Sequence, residues 1–516
     1  MRSLTPISPK CHHPDAMRAY RSSGECLRLP LKEAPEALFG AIAREPMSFF
    51  LDSALFDPRM GRWSFMGSRP FLVLRSRGRE LTVTRGRTTR KVRGDPFSVL
   101  SRLLAAYRSE ARGPVPPLLS GAVGFVSYEA GRLLERLRGA RGPGRDIPDM
   151  VFGFYESVIA CDLVRGEAWV ARTGLRGDGH PGLAARQRAR AAELASLLES
   201  PPRPQPPGAF ALTAPLRSRM SRQAYLRAVA STRRAIAAGE IYQANLTRTF
   251  SAPWKGDPWA LYLKLRRASP APFASYLDFG GIRVVSSSME RLLKVSGSRV
   301  ETRPIKGTRP RGAGAATDRS LALELVRSAK DSAEHMMIVD LERNDLGRVC
   351  EAGSVRVAET AALERYPQVF HLVSTVEGRL RRGLTAVDAF RAVFPGGSVI
   401  GAPKIRAEGI LNALEPVPRG VYTGALGYFS FNGSCDFGLP IRTLTLTPHS
   451  ASFGVGGGIV ADSSPEAEYN ETMDKARGML MALGETRIPD RAAARAAVTR
   501  ASPARAAARA AGRRRA

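Results

Sequence analysis

Between residues 239 and 475 no apolar run goes far before a Gly, Pro or polar cluster interrupts it. Glu301-Thr-Arg-Pro-Ile-Lys-Gly-Thr-Arg-Pro310 and Phe394-Pro-Gly-Gly-Ser-Val-Ile-Gly-Ala-Pro403 are typical. A chain punctuated in this way must build from short elements joined by turns. It contains no stretch of 18 or more apolar residues, so no transmembrane helix is expected. No short-period repeat is visible. The strand–helix texture is similar on both sides of residue 200, which permits a duplicated architecture without proving it.

The spacing predicts strands at Ser48–Asp52, Val73–Arg75, Leu81–Thr84, Ala122–Ser127, Ser157–Asp162 and Ala168–Arg172, and a helix over Leu183–Leu198. Five prolines at 201, 202, 204, 206 and 207 then mark a surface connector, 201–217. A helix follows at Ser221–Ala238, with Ser221 as N-cap and Gly239 as its stop. The expected division is a flexible extension 1–24, a first region 25–200, the connector 201–217, a second region 218–486 and a disordered Ala/Arg tail 487–516. Translation could begin at Met1 or Met17.

Charge separates these regions. The 516 residues carry a net +31, to which residues 1–217 contribute +14, 218–486 +9 and the tail +8. Nucleic-acid binding needs a reading motif as well as charge. The chain has no zinc-finger spacing, bZIP heptads or RNP aromatics, so nucleic acid remains a distant alternative. The basic segment Arg75–Arg93 alternates like a β-hairpin with a solvated charged face. Five widely spaced cysteines argue against a disulfide framework and for a reducing, cytoplasmic location. The N-terminus lacks the apolar core of a signal peptide. Only ten of the 78 basic residues are lysine. Where Arg is the default cation, a surviving Lys marks a place that needs an amine.

Several constellations could carry chemistry. Lys306, read as lying at a turn, is either an exposed loop lysine or a desolvated nucleophile or base. Asp331 and Glu334 share one helix face, as do Glu468 and Glu471, with Lys475 four residues further on. Two such helices could hold Mg²⁺, which favours few carboxylates plus waters and ligand oxygens; each could also be ordinary surface decoration. Glycine-rich turns at 394–404 and Gly454–Gly458 let backbone N–H groups approach a small carboxylate. Arg442, closing a strand-like run, could grip that carboxylate. Glu290 is a possible general acid or base. His371, among apolar residues, is either a core histidine or a catalytic one.

In their order and spacing these strings resemble the chorismate-utilising enzymes, the family of anthranilate synthase component I and aminodeoxychorismate synthase component I. The matching strings are GEIYQANLT (239–247), SSSMER (286–291), ETRPIKGTRPRG (301–312) and KDSAEHMMIVDLERNDLGRV (330–349). HLVSTVEG (371–378), FPGGSVIGAPKIRA (394–407), GVYTGALGYF (420–429), IRT (441–443) and GGGIVADSSPEAEYNETMDKA (456–476) complete the set. FFLDSA (49–54) and GRWSFMG (61–67) extend it more weakly. The resemblance implies an α+β fold, a large two-sheet αββα sandwich with the site in a cleft. It implies Glu334 and Glu471 as Mg²⁺ ligands, with Asp331 and Glu468 as a supporting acidic shell. It also implies Gln243, Thr308, Tyr422, Arg442, Gly458 and Lys475 as chorismate contacts. Glu290 would protonate the departing C4 hydroxyl, and His371 would lie beside the ring.

Two positions select a branch. Isochorismate and salicylate synthases carry a lysine base where this chain has Gln243. Anthranilate synthases usually read Pro-Ile-Ala-Gly-Thr where this chain has Lys306, a form similar to aminodeoxychorismate synthase, in which the amine attacks C2. The expected activity is therefore conversion of chorismate and ammonia to 4-amino-4-deoxychorismate on the way to p-aminobenzoate and folate; anthranilate formation is the alternative. No region resembles a glutaminase, and the tail leaves no room for an aminodeoxychorismate lyase, so both are expected as separate proteins. Three residues depart from the family pattern: Met289, His335 and Ile400. Ile400 removes a hydroxyl near the presumed substrate loop. Ser53 sits in a motif similar to the family's tryptophan-binding strand, too short a match to predict feedback inhibition.

Overall fold

The computed structural model describes residues 26–485, apart from 58, 110–114, 136–143, 145, 173–174, 178–181, 204–205 and 367–368. The extension 1–24 and the tail 487–516 lie outside the described residues, as does Cys11. The predicted strands form at Phe49–Asp52, Leu72–Arg77, Glu80–Arg85, Gly121–Val126, Ile159–Asp162 and Glu167–Ala171. The first predicted helix runs Leu183–Glu199 and the second Arg222–Ala237. Ser221 accepts from Ala224 N, and Gly239 ends the second helix at a φ of +72°. Its capping hydrogen bond is worth about 1 kcal/mol. Burial of Tyr225 and Val229 is worth roughly 1.5–3 kcal/mol each. Packing therefore holds this helix more than its cap does.

Two twelve-stranded antiparallel sheets form an αββα sandwich. The first region and the second do not build separate sheets. In one sheet Phe49–Asp52 pairs with Phe273–Asp278, Leu51 opposite Ser275. In the other, Gly121–Val126 pairs with Ala425–Ser430, Gly124 opposite Gly427. Each sheet thus has five early and seven late strands, joined near its middle. The connector 201–217 holds two short strands: Phe210–Leu212 pairs with Trp254–Gly256, and Arg217–Ser218 with Gln243–Ala252.

The inner faces meet in a core that includes Phe49, Phe65, Phe125, Tyr155, Val284 and Leu426. Helices Pro35–Gly40, Leu183–Glu199, Pro258–Ala268 and Pro465–Leu483 cover one outer face. Pro96–Ala106, Ala329–Gly347 and Ala386–Val393 cover the other. The basic segment is the outer part of a three-stranded meander, Leu72–Arg77, Glu80–Arg85 and Thr88–Arg93, with Lys91 and Arg93 exposed at its edge. Cys26, Cys161, Cys350 and Cys435 are buried. No helix among the described residues is long and apolar enough to cross a membrane.

Candidate active site

The site lies where the edge of one sheet meets a glycine-rich strand of the other. Lys306 is in a strand, Ile305–Pro310, and not at the expected turn. That strand pairs with Val369–Arg379 through a bulge: Lys306 opposes Leu372 and Thr308 opposes His371, leaving Gly307 as the extra residue at φ +81°. Gly454–Gly458 is not a turn either, but part of the strand Ala451–Ile459. Its glycines make room. A methyl group on Gly454 would collide with the Tyr422 ring. On Gly457 it would stand 2.8 Å from Glu468 Oε2, and on Gly458 3.1 Å from Lys306 Nζ and 4.0 Å from Glu334 Oε2. Bare backbone here lets the amine and the carboxylates close on one point.

The carboxylates come from two helices. Ala329–Gly347 carries Asp331 and Glu334; Pro465–Leu483 carries Glu468, Glu471 and Lys475. Burial raises Glu334, with the Lys306 ammonium opposing that shift. Burial also pushes Glu471 up, but Lys475, 2.6 Å away, wins and leaves it below the usual range. Lys475 donates to Gly456 O at 2.9 Å as well. Asp331 turns to Arg309, at 3.0 Å. Glu468 Oε1 accepts from Ser463, while its Oε2 is buried without a partner.

No group of three His, Cys, Asp or Glu among the described residues forms a ready cation cage. The donor set nonetheless fits a magnesium ion that keeps waters and ligand oxygens, because hard carboxylate oxygens face one another and one is idle. Tyr225 Oη, 3.9 Å from the same methyl position on Gly457, is also buried without a partner. Leaving such an atom unsatisfied costs about 1–3 kcal/mol. Two around one point mark a place that a bound group completes. Tyr225 has no signal in the sequence, since it occupies an ordinary buried position on an amphipathic helix.

Lys306 is half-buried among these charges. Burial lowers its amine, and Lys475 adds to the fall; Glu334, Glu290 and Glu471 oppose it. Glu290, 5% exposed, accepts from Ser398 Oγ at 2.6 Å and from Ile305 N at 3.4 Å. Burial raises it to about 7 against those hydrogen bonds. Ser398 was hidden in the sequence inside the glycine-rich turn, now a 3₁₀ turn at Gly397–Val399. His371 Nδ1 is 2.9 Å from Thr308 Oγ1, and Nε2 is 3.1 Å from Met289 Sδ. Burial, and after it Arg442, lowers His371 to about 3, so its ring is neutral.

Two further polar groups are left for a ligand. Arg442 precedes the strand Thr443–Leu446 in a left-handed turn, φ +51°, with its carbonyl bonded to Ser287 N. Burial lowers the guanidinium to about 10, and among the described residues no carboxylate pairs with it. Gln243 is buried with Oε1 unpartnered.

The departures find their own places. Ile400 is fully buried with Tyr128, Leu246, Leu411 and Ile459, so its side chain is part of the core. His335 Nε2 bonds Ser374 Oγ at 2.6 Å, and burial lowers the ring to about 4. Ser53 donates to Trp63 O and lines a separate cavity of about 580 Å³.

Residues 55–481 match the family described as chorismate binding enzyme. Anthranilate synthase component 1 of Synechocystis sp. is 38% identical over 477 residues, covering 88% of this chain and 94% of that protein. Aminodeoxychorismate synthase component 1 of Escherichia coli is 37% identical over 453 residues, covering 88% and 96%. The crystal structure of anthranilate synthase component I from Streptococcus pneumoniae superimposes with a TM-score of 0.69 at 32% identity, over 82% of this chain and 93% of that one. Menaquinone-specific isochorismate synthase from Escherichia coli shares the fold, with a TM-score of 0.66 at 18% identity. With the glycine strand, the lysine edge and the two acidic helices in one cleft, and these relatives aligned along most of its length, the chain belongs to the chorismate-binding enzymes.

Proposed function

We propose that this chain is component I of aminodeoxychorismate synthase, aminating chorismate at C4 with ammonia from a separate glutamine amidotransferase subunit. Relatives named for this reaction and for anthranilate synthesis match almost equally well, so the choice rests on one observation. Lys306 brings a desolvated amine to the point where the glycine strand and the acidic helices meet. A neutral amine is a nucleophile, and burial favours the neutral form.

The residues suit two successive displacements. Arg442, Tyr422 and the Gly458 backbone hold the carboxylates, and Gln243 takes a ring hydroxyl. The Lys306 amine attacks C2, the ring double bonds shift toward C4, and the C4–O bond breaks. Glu290 gives its proton to that oxygen, which leaves as water. Ammonia then adds at C4, the double bonds return, and Lys306 departs as a neutral amine. The neutral His371 ring, fixed by Thr308, stacks beside the substrate without adding charge. A magnesium ion held by Glu334 and Glu471, with Asp331 and Glu468 behind them, would supply positive charge at a substrate carboxylate. A separate lyase would convert the product toward p-aminobenzoate and folate.

Incubation with chorismate, magnesium and ammonium, followed by separation of products, tests this reading. The expected product is 4-amino-4-deoxychorismate. Fluorescent anthranilate with one pyruvate per chorismate would replace it with anthranilate synthesis.

A further inference from the structure

Ser398 takes no part in the displacements above, yet among the described residues it is the side chain that hydrogen-bonds the Glu290 carboxyl. Its Oγ donates to Oε1 at 2.6 Å, and Ile305 N donates to the same oxygen at 3.4 Å. Both partners are held through their backbones. Glu290 N donates to Ser288 Oγ at 3.4 Å, and Glu290 O accepts from Leu439 N at 2.9 Å. On the other side, Gly397 N donates to Glu342 Oε1 at 3.3 Å, and buried Arg419 donates to Val399 O at 2.8 Å. A methyl group on Gly396 would stand 2.6 Å from Leu439 Cδ1, and one on Gly397 2.5 Å from Leu341 Cδ2. Bare backbone thus seats the turn Gly397–Val399 against its neighbours and brings the hydroxyl to one place.

The charged and titratable groups facing Glu290 come from three elements. Lys306 lies on the strand Ile305–Pro310, Lys475 on the helix Pro465–Leu483 and Glu342 on the helix Ala329–Gly347. Burial is the largest influence on Glu290 and disfavours its carboxylate. Of the influences that favour the carboxylate, the Ser398 bond comes first, ahead of Ile305 N, Lys306 and Lys475. An oxygen that accepts from two donors leaves the acid proton to the other oxygen, so protonated Glu290 carries it on Oε2. A hydroxyl also bonds an ionised carboxylate more strongly than a neutral carboxyl. The Ser398 bond therefore tightens as Glu290 gives up its proton.

We propose that Ser398 is a positioning residue that keeps the acid proton of Glu290 on Oε2 and steadies the carboxylate left when that proton departs. The proposal rests on the reading of Glu290 as the acid that releases the C4 hydroxyl. In that step the proton on Oε2 passes to the C4 oxygen. The C4–O bond breaks with its electron pair on the oxygen, and water leaves. Glu290 stays charged until it takes a proton back from solvent, and Ser398 keeps its own proton throughout. Ser398 acts through Glu290 alone, by setting which oxygen carries the proton and how readily it is given up.

The test follows the loss of chorismate against pH, with magnesium present and free ammonia held constant. That readout does not depend on which aminated product forms, because Glu290 loses its proton to the same hydroxyl in either case. Ser398→Ala removes the donor to Oε1. Loss of a donor to the charged form raises Glu290, so the falling limb of the profile should move up by about one pH unit. On the plateau below that limb, kcat should drop by about tenfold, with KM for chorismate unchanged. Ser398→Thr keeps a hydroxyl and should restore both the limb and much of kcat. A parent-like limb and kcat in Ser398→Ala would overturn the proposal. So would equal loss of kcat in the Ala and Thr variants with the limb unmoved, the sign of a packing role. Glu290→Gln, run alongside, separates the two readings. A limb that persists there overturns Glu290 as the acid, and a limb lost there but unmoved in Ser398→Ala overturns only the role of Ser398. If Ser398→Ala does not fold, Ser398→Cys, a weaker donor, is read instead. A limb moved upward supports the proposal, and a parent-like profile overturns it.

Discussion

Two arginines, Arg291 and Arg442, are treated in opposite ways. Arg291 makes two hydrogen bonds to Asp436 at 3.0 Å and one to Glu301 at 2.7 Å. Arg442 has a buried guanidinium and no carboxylate among the described residues. The same contrast runs through the carboxylates. Asp52 is buried but accepts from Tyr262, Arg266 and Ser64, whereas Glu468 keeps an idle oxygen beside the glycine strand. Burying a charge opposes folding unless partners replace the lost water. A fully paired cluster serves the fold. One left open in a cleft reserves its bonding capacity for a ligand.

Substitutions can break this contrast, and the largest effect is expected at Lys306. Lys306→Ala should lower formation of 4-amino-4-deoxychorismate by about 10³-fold or more with little change in melting temperature, read by product assay and calorimetry. Arg291→Met should do the reverse. It leaves half-buried Asp436 without its cation and Glu301 with Arg299 alone, and should lower stability by about 1–3 kcal/mol in denaturant titration, while the folded fraction keeps its kcat. Glu290→Gln should lower kcat by about 10²-fold. Arg442→Gln should raise KM for chorismate by about tenfold or somewhat more, the value of a charged hydrogen bond, with a smaller change in kcat.

The smallest effect is a pH dependence. Glu290 acts in its protonated form, and burial raises it to about 7. The rate should therefore fall as pH rises through about 7, by at most tenfold per unit, and Glu290→Gln should flatten that limb of the profile. A limb that survives in the variant would assign it to another group.

Much of this was legible in the sequence where a local rule applies. The Ser221 cap, the Gly239 stop and the i,i+3 acidic pairs follow from helix geometry alone. The alternation in Leu72–Arg77 and Glu80–Arg85 follows from strand geometry. What was not legible depends on distant chain. Gly454–Gly458 reads as a turn because glycine usually marks one. Here it serves close approach by Tyr422, Lys306 and Glu468, which no local pattern encodes. Lys306 reads as a turn residue because Gly307 follows, but the pairing with Val369–Arg379 makes that glycine a bulge. Ile400 reads as part of a substrate loop until its neighbours show it to be core. The interleaving of early and late strands in both sheets is likewise a property of register, invisible to composition. The net charge of +31 told least, and the scarcity of lysine told most, because it drew attention to Lys306.

The central claim is that Lys306 is the nucleophile. It is tested most directly by incubating the protein with chorismate and magnesium in the absence of ammonia, then mapping its peptides by mass. The account predicts a covalent adduct of chorismate less one water on Lys306, discharged when ammonium is added. An unmodified Lys306 in a protein that still forms 4-amino-4-deoxychorismate at full rate would contradict it.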